Sequence, residues 1–295
     1  MFGFEDMLHN EFTELPFKIM FYVIVFLFGI CIGSFLNVVI YRLPDPNSPS
    51  ILGIGQTKED KEKASHCMTC GAKIRPIDLI PVFSWIMLRG KCHSCGSKIS
   101  PRYPIVESLN GLLYVLTFYV LDINVKSIIT CVVMSLLICI AFIDWDTKEI
   151  FISMIAVIFV LTIPLHLLHS LEYEDVTLKS RIIGAFIISV PFFIIGEVSR
   201  PIIKKKFGED FRAIELGDTY LMFAAGAFLG TQAVIVSTFI GIMVAAVGGI
   251  IVKRITKDSK FAFGPFLAIG IAVGSLWGDQ IAQWYLSIPE RLSGQ

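Results

Sequence analysis

The sequence predicts an all-α polytopic membrane protein, with about eight transmembrane helices and one small cytosolic zinc-knuckle insertion near its start. Three observations carry this. The 295 residues are 55% hydrophobic and only 17% charged, with a mean hydropathy of +0.72, more apolar surface than a soluble domain can hide. Apolar runs near or above the roughly 20 residues needed to cross a bilayer recur along the chain. The one long polar stretch holds two Cys-x-x-Cys pairs, Cys67/Cys70 and Cys92/Cys95.

The first span is read over roughly 19–41. Glu5, Asp6, Glu11 and Glu14 precede it and Lys18 is the only base, so the positive region of a cleavable signal peptide is missing. The polar loop of about 43–102 follows. Further spans are read at roughly 103–121, 126–143, 150–169, 181–199, 218–231, 233–252 and 262–286. The sixth and seventh are short, Gly-rich and nearly continuous, which leaves seven spans as the main alternative.

Orientation follows the bases. Arg42, Lys58, Lys61, Lys63, Lys73, Arg75, Arg89, Lys91, Lys98 and Arg102 crowd the first loop. Arg200, Lys204, Lys205, Lys206 and Arg212 follow span five, and Lys253, Arg254, Lys257 and Lys260 follow span seven. The 170–180 stretch is acidic instead, with Glu172, Glu174 and Asp175. Eight spans place all the basic loops on one side, the cytosol. The net charge of zero says nothing about acidic partners, and no nucleic-acid partner is expected.

A cytosolic loop is reducing, so its cysteines are not expected to form disulfides. Thiolates at two-residue spacing bind Zn²⁺ tetrahedrally. The separator of 21 residues is slightly longer than the usual ribbon spacing. Gly71 and Gly96 follow the pairs and suit a tight turn. Four free thiols or a redox pair are the alternatives. Cys31, Cys131 and Cys139 fall in apolar spans and read as packed thiols. Gly29/Gly33, Gly226/Gly230 and Gly270/Gly274/Gly278 are small residues four apart, the spacing of helix–helix packing.

Two aspartates mark span ends. Asp144, within Ile143-Asp144-Trp145-Asp146, closes span three, and Asp218, after Leu216-Gly217, opens span six on the same side. A single carboxylate at a span end reads as a solvated flank. Two at one membrane face can share a proton, activate water and protonate a leaving amine. Asp146 points elsewhere if its segment is helical, and reads as a solvated neighbour. Glu215 lies three residues before Asp218, so in a helix the two carboxylates share a face and repel. Asn37 inside span one and Glu107 near the start of span two are polar groups needing partners.

Taken together, these pieces resemble the bacterial type IV prepilin peptidases, bifunctional leader peptidases and N-methyltransferases. The resemblance begins with Gly33-Ser34-Phe35-Leu36-Asn37-Val38-Val39-Ile40-Tyr41-Arg42-Leu43-Pro44. It runs through the four cysteines, Pro81-Val82-Phe83-Ser84-Trp85, Arg89-Gly90-Lys91-Cys92 and Arg102-Tyr103-Pro104-Ile105-Val106-Glu107. It ends with Asp144, Gly217-Asp218 and Phe263-Gly264-Pro265-Phe266-Leu267-Ala268. The order and spacing of these pieces make the match specific.

The resemblance implies Asp144 and Asp218 as catalytic residues. It implies leader removal from prepilins or pseudopilins at the cytosolic face of the bacterial inner membrane. Methylation of the new N-terminus from S-adenosylmethionine would follow. Asn37, Arg42 and Glu107 are the candidates for the methyl-donor site, which no nucleotide fingerprint locates. Residues 1–121 would form the methyltransferase-associated region, carrying structural Zn²⁺, and 122–295 the aspartic peptidase domain. Three positions depart from the family pattern: Glu215 replaces a Gly, Tyr220 a Lys and Phe151 a Pro. A peptidase without methyl transfer, or a transporter or scaffold carrying a zinc ribbon, are the alternative readings.

Overall fold

Backbone inside hydrocarbon has no water to bond to, so apolar stretches of this length must be helical. The computed structural model describes residues 11–45, 66–170, 176–207, 212–256 and 262–288. In chain order the elements are α1 (Glu11–Arg42), a 3₁₀ turn (Pro76–Leu79), α2 (Phe83–Met87), α3 (Arg102–Leu121) and α4 (Val125–Thr147), followed by α5 (Ile152–Val160), α6 (Thr162–Ser170), α7 (Leu178–Phe207), α8 (Leu216–Leu229), α9 (Thr231–Thr256) and α10 (Gly264–Leu286). No strand occurs among the described residues, only two isolated β-bridges in the cysteine loop.

Six of these helices, α1, α3, α4, α7, α9 and α10, are long and apolar enough to cross a membrane. The other two expected spans are shorter. Span four is not one helix but two of nine residues each, α5 and α6, parted at Leu161. Span six is the 14-residue α8, about 21 Å long, short of a hydrocarbon core of about 30 Å. The sixth and seventh spans are separate helices, because Gly230 breaks the chain between them at φ 82°. Lys58, Lys61, Lys63, Lys257, Lys260, Glu172, Glu174 and Asp175, used above for orientation, and Glu5 and Asp6, used for the signal-peptide reading, lie outside the described residues.

The chain divides into two compact units, Met1–Ile123 and Asn124–Gln295. In the first, α1 and α3 run antiparallel along a seam of small residues. A Cβ added at Gly29 would meet the Gly111 Cα at 2.7 Å, and one at Gly33 would meet the Glu107 Cα at 2.7 Å. The amides Asn110 and Asn37 cross this seam. Asn110 Nδ2 donates to the Gly29 carbonyl at 2.7 Å, and Asn37 Nδ2 donates to the Tyr103 carbonyl at 3.2 Å. Phe21 stacks edge-on against Phe118 further along the seam. Cys31 is exposed rather than packed, because among the described residues it lies off the seam that α1 makes with α3.

The second unit repeats the device. Gly184 of α7 and Gly226 of α8 bring their backbones together, and Gly270, Gly274 and Gly278 of α10 fit against Ser237, Gly241 and Ala233 of α9. α4 packs on α10, and α8 lies among α5, α7 and α9. Arg181 of α7 is buried and donates to the Ala227 and Phe228 carbonyls, closing the C-terminal end of α8. Cys131 and Cys139 are buried here, as expected.

Leucine at Gly33 would force the backbone of α3 away. Overpacking of this kind costs about 1–3 kcal/mol. The Gly33→Leu protein is expected to melt at a lower temperature than wild type in the same detergent, and an unchanged midpoint would show that this contact carries no stability.

Candidate active site and metal centre

Asp144 lies in the last turn of α4. The helix stops three residues later, where Lys148 turns into the left-handed region at φ 60° and its N–H bonds the Asp144 carbonyl at 2.9 Å. A carboxylate near a helix C-terminus faces partial negative charge. The chain supplies an answer from 120 residues away: the N–H of Gly264, first residue of α10, donates to Asp144 Oδ2 at 2.9 Å, in a buried setting. A Cβ there would stand 2.8 Å from the same oxygen, so any other residue would push the carboxylate aside. Asp144 is 5% exposed, whereas Asp146 is exposed.

Asp218 is also 5% exposed and sits at the opposite kind of helix end, the first turn of α8. The Glu215 N–H donates to its Oδ2 at 3.3 Å. Glu215 therefore stands outside the helix proper, although its charge still acts on Asp218. It is the N-cap residue, extended at φ −75° and ψ 160°, with its side chain in an exposed residue. The break falls here because the preceding loop enters the helix at Leu216. The Thr219 hydroxyl and N–H both return to the Glu215 carbonyl at 3.3 Å, fixing that entry.

Both aspartates belong to the second unit, and the Asp144 charge acts on the Asp218 carboxylate. Both are buried, and each holds one backbone donor. A reading of the sequence passes over Gly264 as a chemical participant. Its only signal there is the Phe263-Gly264-Pro265 run, and nothing in that run names Asp144 as the partner.

The four cysteines converge in the first unit. Their sulfurs all lie within 4.8 Å of one another, and Cys67 Sγ is 3.9 Å from Cys95 Sγ. Metal–sulfur bonds of about 2.3 Å in a tetrahedron place sulfurs about 3.8 Å apart, so the donor set could close on a metal ion with small side-chain shifts. Each knuckle is built alike. The Cys67 N–H bonds the Ala72 carbonyl and the Gly71 N–H the Cys67 carbonyl; Cys92, Ser97 and Gly96 repeat this at matching positions. Gly71 and Gly96 take φ values of 70° and 72°, which glycine adopts at no steric cost. The likeness reaches beyond the cysteines: Cys-x-x-Cys-Gly-x-Lys-Ile-x-Pro occurs at 67–76 and again at 92–101.

The electrostatics of the thiols are uneven. Backbone N–H groups of Cys70 and Thr69, with the Ser97 hydroxyl, push the Cys67 thiol down to about 5. The Ser97 hydroxyl and backbone lower Cys95 too. The Ala72 N–H favours the Cys70 thiolate, but the adjoining Cys95 and Cys67 thiols outweigh it and push Cys70 up to about 11.

The candidate methyl-donor ligands are otherwise occupied. Asn37 binds the Tyr103 and Gly33 carbonyls across the helix seam. Glu107 is buried, and its Oε2 accepts the Val82 N–H at 2.6 Å. Arg42 stands half-buried at the end of α1. Asn37 Nδ2 and Glu107 Oε2 thus serve the packing of the first unit.

Comparison with known proteins accords with both halves of this description. Residues 27–121 match the bacterial peptidase A24 N-terminal domain, and residues 131–250, which include Asp144 and Asp218, match the type IV leader peptidase family. A prepilin leader peptidase/N-methyltransferase of Aeromonas salmonicida is 33% identical over 288 residues, covering 91% of this chain and 94% of that protein. Proteins of the same name from Neisseria gonorrhoeae (32% over 284 residues, 89% and 94% covered) and Aeromonas hydrophila (31% over 287 residues, 91% and 94% covered) are similar. No solved structure matches the chain significantly.

Full-length protein purified from metal-replete cells is expected to hold about one thiophilic divalent ion per chain by elemental analysis. Cys67→Ser combined with Cys92→Ser should hold almost none. Wild-type protein without stoichiometric metal would remove the centre.

Proposed function

We propose, from the premise that the chain belongs to the type IV leader peptidase family, that it removes the leader of a prepilin or pseudopilin precursor and methylates the new N-terminus. The buried pair of Asp144 and Asp218 is the observation that carries the peptidase reading. One carboxylate, ionised, draws a proton from a water that attacks the scissile carbonyl. The other, protonated, polarises that carbonyl. A proton then passes to the leaving amine as the peptide bond breaks. The pair acts as a unit, so neither role belongs to one residue alone. The Gly264 and Glu215 N–H groups hold the two carboxylates in place.

Orientation is read from the bases. Arg42 ends α1, Arg102 begins α3, and Lys204, Lys205 and Lys206 close α7. These charges support a multi-pass protein of the bacterial inner membrane with its aspartates toward the cytosol. Eight crossings are needed for this arrangement, so α5–α6 and α8 would complete the two shorter ones. Zinc is the metal proposed for Cys67, Cys70, Cys92 and Cys95, in a structural role. Residues 1–121 would carry methyl transfer and 122–295 the peptidase. S-adenosylmethionine, when bound, would supply the methyl group to the free amine. A second reading, cleavage without methyl transfer, is favoured by one observation: Asn37 and Glu107 are spent on packing.

Mass spectrometry of a co-expressed prepilin reads leader loss and methyl addition together. Asp144→Asn and Asp218→Asn should each abolish cleavage in protein that remains folded and inserted, while Asp146→Asn should cleave nearly normally. Gly264→Ala should lower cleavage by about tenfold or more, a rise of about 1.4 kcal/mol in the barrier slowing the reaction tenfold, because its methyl group crowds Asp144 Oδ2. Near-wild-type cleavage by either Asn variant would overturn the pair.

The same assay separates the units. Cys67→Ser with Cys92→Ser should reduce methylation more than cleavage. Equal loss of both would place the metal module in the service of the whole enzyme.

A further inference from the structure

Between the two knuckles, residues 77–87 expose six large apolar side chains: Ile77, Leu79, Ile80, Phe83, Ile86 and Met87, each 44–67% exposed. These lie outside the six span-length helices, where exposed apolar side chains would simply face lipid. On α2, Phe83, Ile86 and Met87 stand at helical spacing and share one face. The other face is held inward. Trp85 Nε1 donates to the Ile99 carbonyl at 3.2 Å, and the Trp85 ring closes against Gly90. The apolar face is thus presented outward by a module whose inner side is already satisfied.

Its height above the bilayer is set by one bond. The Val82 N–H, at the start of α2, donates to Glu107 Oε2 at 2.6 Å. Glu107 lies five residues into α3, about 7.5 Å along a helix that crosses the membrane. Val82 itself is held at φ 61°, a conformation a β-branched residue adopts only when its surroundings impose it. The start of α2 therefore lies level with the first turns of a spanning helix, at the depth where interfacial helices bury their apolar face. The charges agree with that depth. Among residues 66–102, Lys73, Arg75, Arg89, Lys91, Lys98 and Arg102 face a single acid, Asp78, which pairs with Arg75.

We infer that the 3₁₀ turn and α2 form a monotopic anchor, which seats the cysteine module on the anionic lipid surface of the leaflet from which α1 and α3 emerge. Both ends of the module are tethered to membrane helices, so this surface is always within reach, and its negative headgroups complement the basic rim. The assignment rests on the membrane reading of α1 and α3 and does not depend on which residues catalyse cleavage.

The test places p-benzoylphenylalanine at Phe83, Ile86 or Met87 of the full-length, metal-loaded protein, in nanodiscs of phosphatidylglycerol and phosphatidylcholine. Metal content equal to wild type shows that each variant is folded, and three positions guard against one failing. Illumination is expected to add the mass of one phospholipid at each position. Replacing phosphatidylglycerol by phosphatidylcholine should cut that adduct several-fold. A crosslink instead to another segment of the same chain, or to added prepilin, would assign the apolar face to protein and overturn the anchor. So would the absence of any lipid adduct in folded protein.

Discussion

Close backbone approach at glycine is the constraint on which the rest of this structure depends. Helices in lipid gain nothing from leaving water, so their association rests on dispersion and on hydrogen bonds that cross the interface. Dispersion falls away over fractions of an ångström. At Gly29 and Gly33 the two helices of the first unit lie too close for a side-chain carbon between them. That closeness is what allows Asn37 and Asn110 to reach main-chain carbonyls on the opposite helix. The amides in turn lock the register, because a slip of one residue would leave them unpartnered in hydrocarbon.

The aspartate pair obeys the same rule at a different scale. Gly264 does not merely permit α10 to begin. Its missing side chain lets a backbone N–H face a carboxylate that sits at the unfavourable end of α4. Asp218 meets the favourable end of α8 and takes its donor from the residue that caps it. Two carboxylates from elements far apart in sequence are thereby held by donors that neither titrate nor rotate. A site of this kind needs little rearrangement when charge develops in a transition state.

How much of this was legible beforehand divides along physical lines. Apolar runs, paired cysteines and carboxylates at span ends are local signals, and their positions were readable residue by residue. Long-range donors were not. Nothing in the neighbourhood of Glu107 names Val82, and nothing near Asp144 names Gly264, because each contact is made by the fold and not by spacing. Helix starts were a third kind of miss. A shift of one residue separates Glu215 as a helical neighbour of Asp218 from Glu215 as its cap, and periodicity does not resolve that step. Cys31 was misplaced for a related reason, since an apolar span does not announce which of its faces finds a partner.

The three departures from the family pattern can now be weighed by what each position requires. Glu215 stands at φ −75° and ψ 160°, open to any L-residue, and what Asp218 receives from it is a main-chain N–H. Losing glycine there costs no strain and removes no donor. Gly217 differs: a Cβ would approach the Ile150 Cβ to 3.0 Å, so this glycine is held by packing. Phe151, where the family pattern implies proline, caps α5 at φ −77°, within the range that proline would impose. The turn keeps its shape without the ring. Tyr220 is exposed on α8, two residues past Asp218, and its replacement of lysine alters the charge outside the site without touching either carboxylate. All three changes fall where backbone geometry is indifferent to the side chain, and the glycines beside the carboxylates, where it is not, remain.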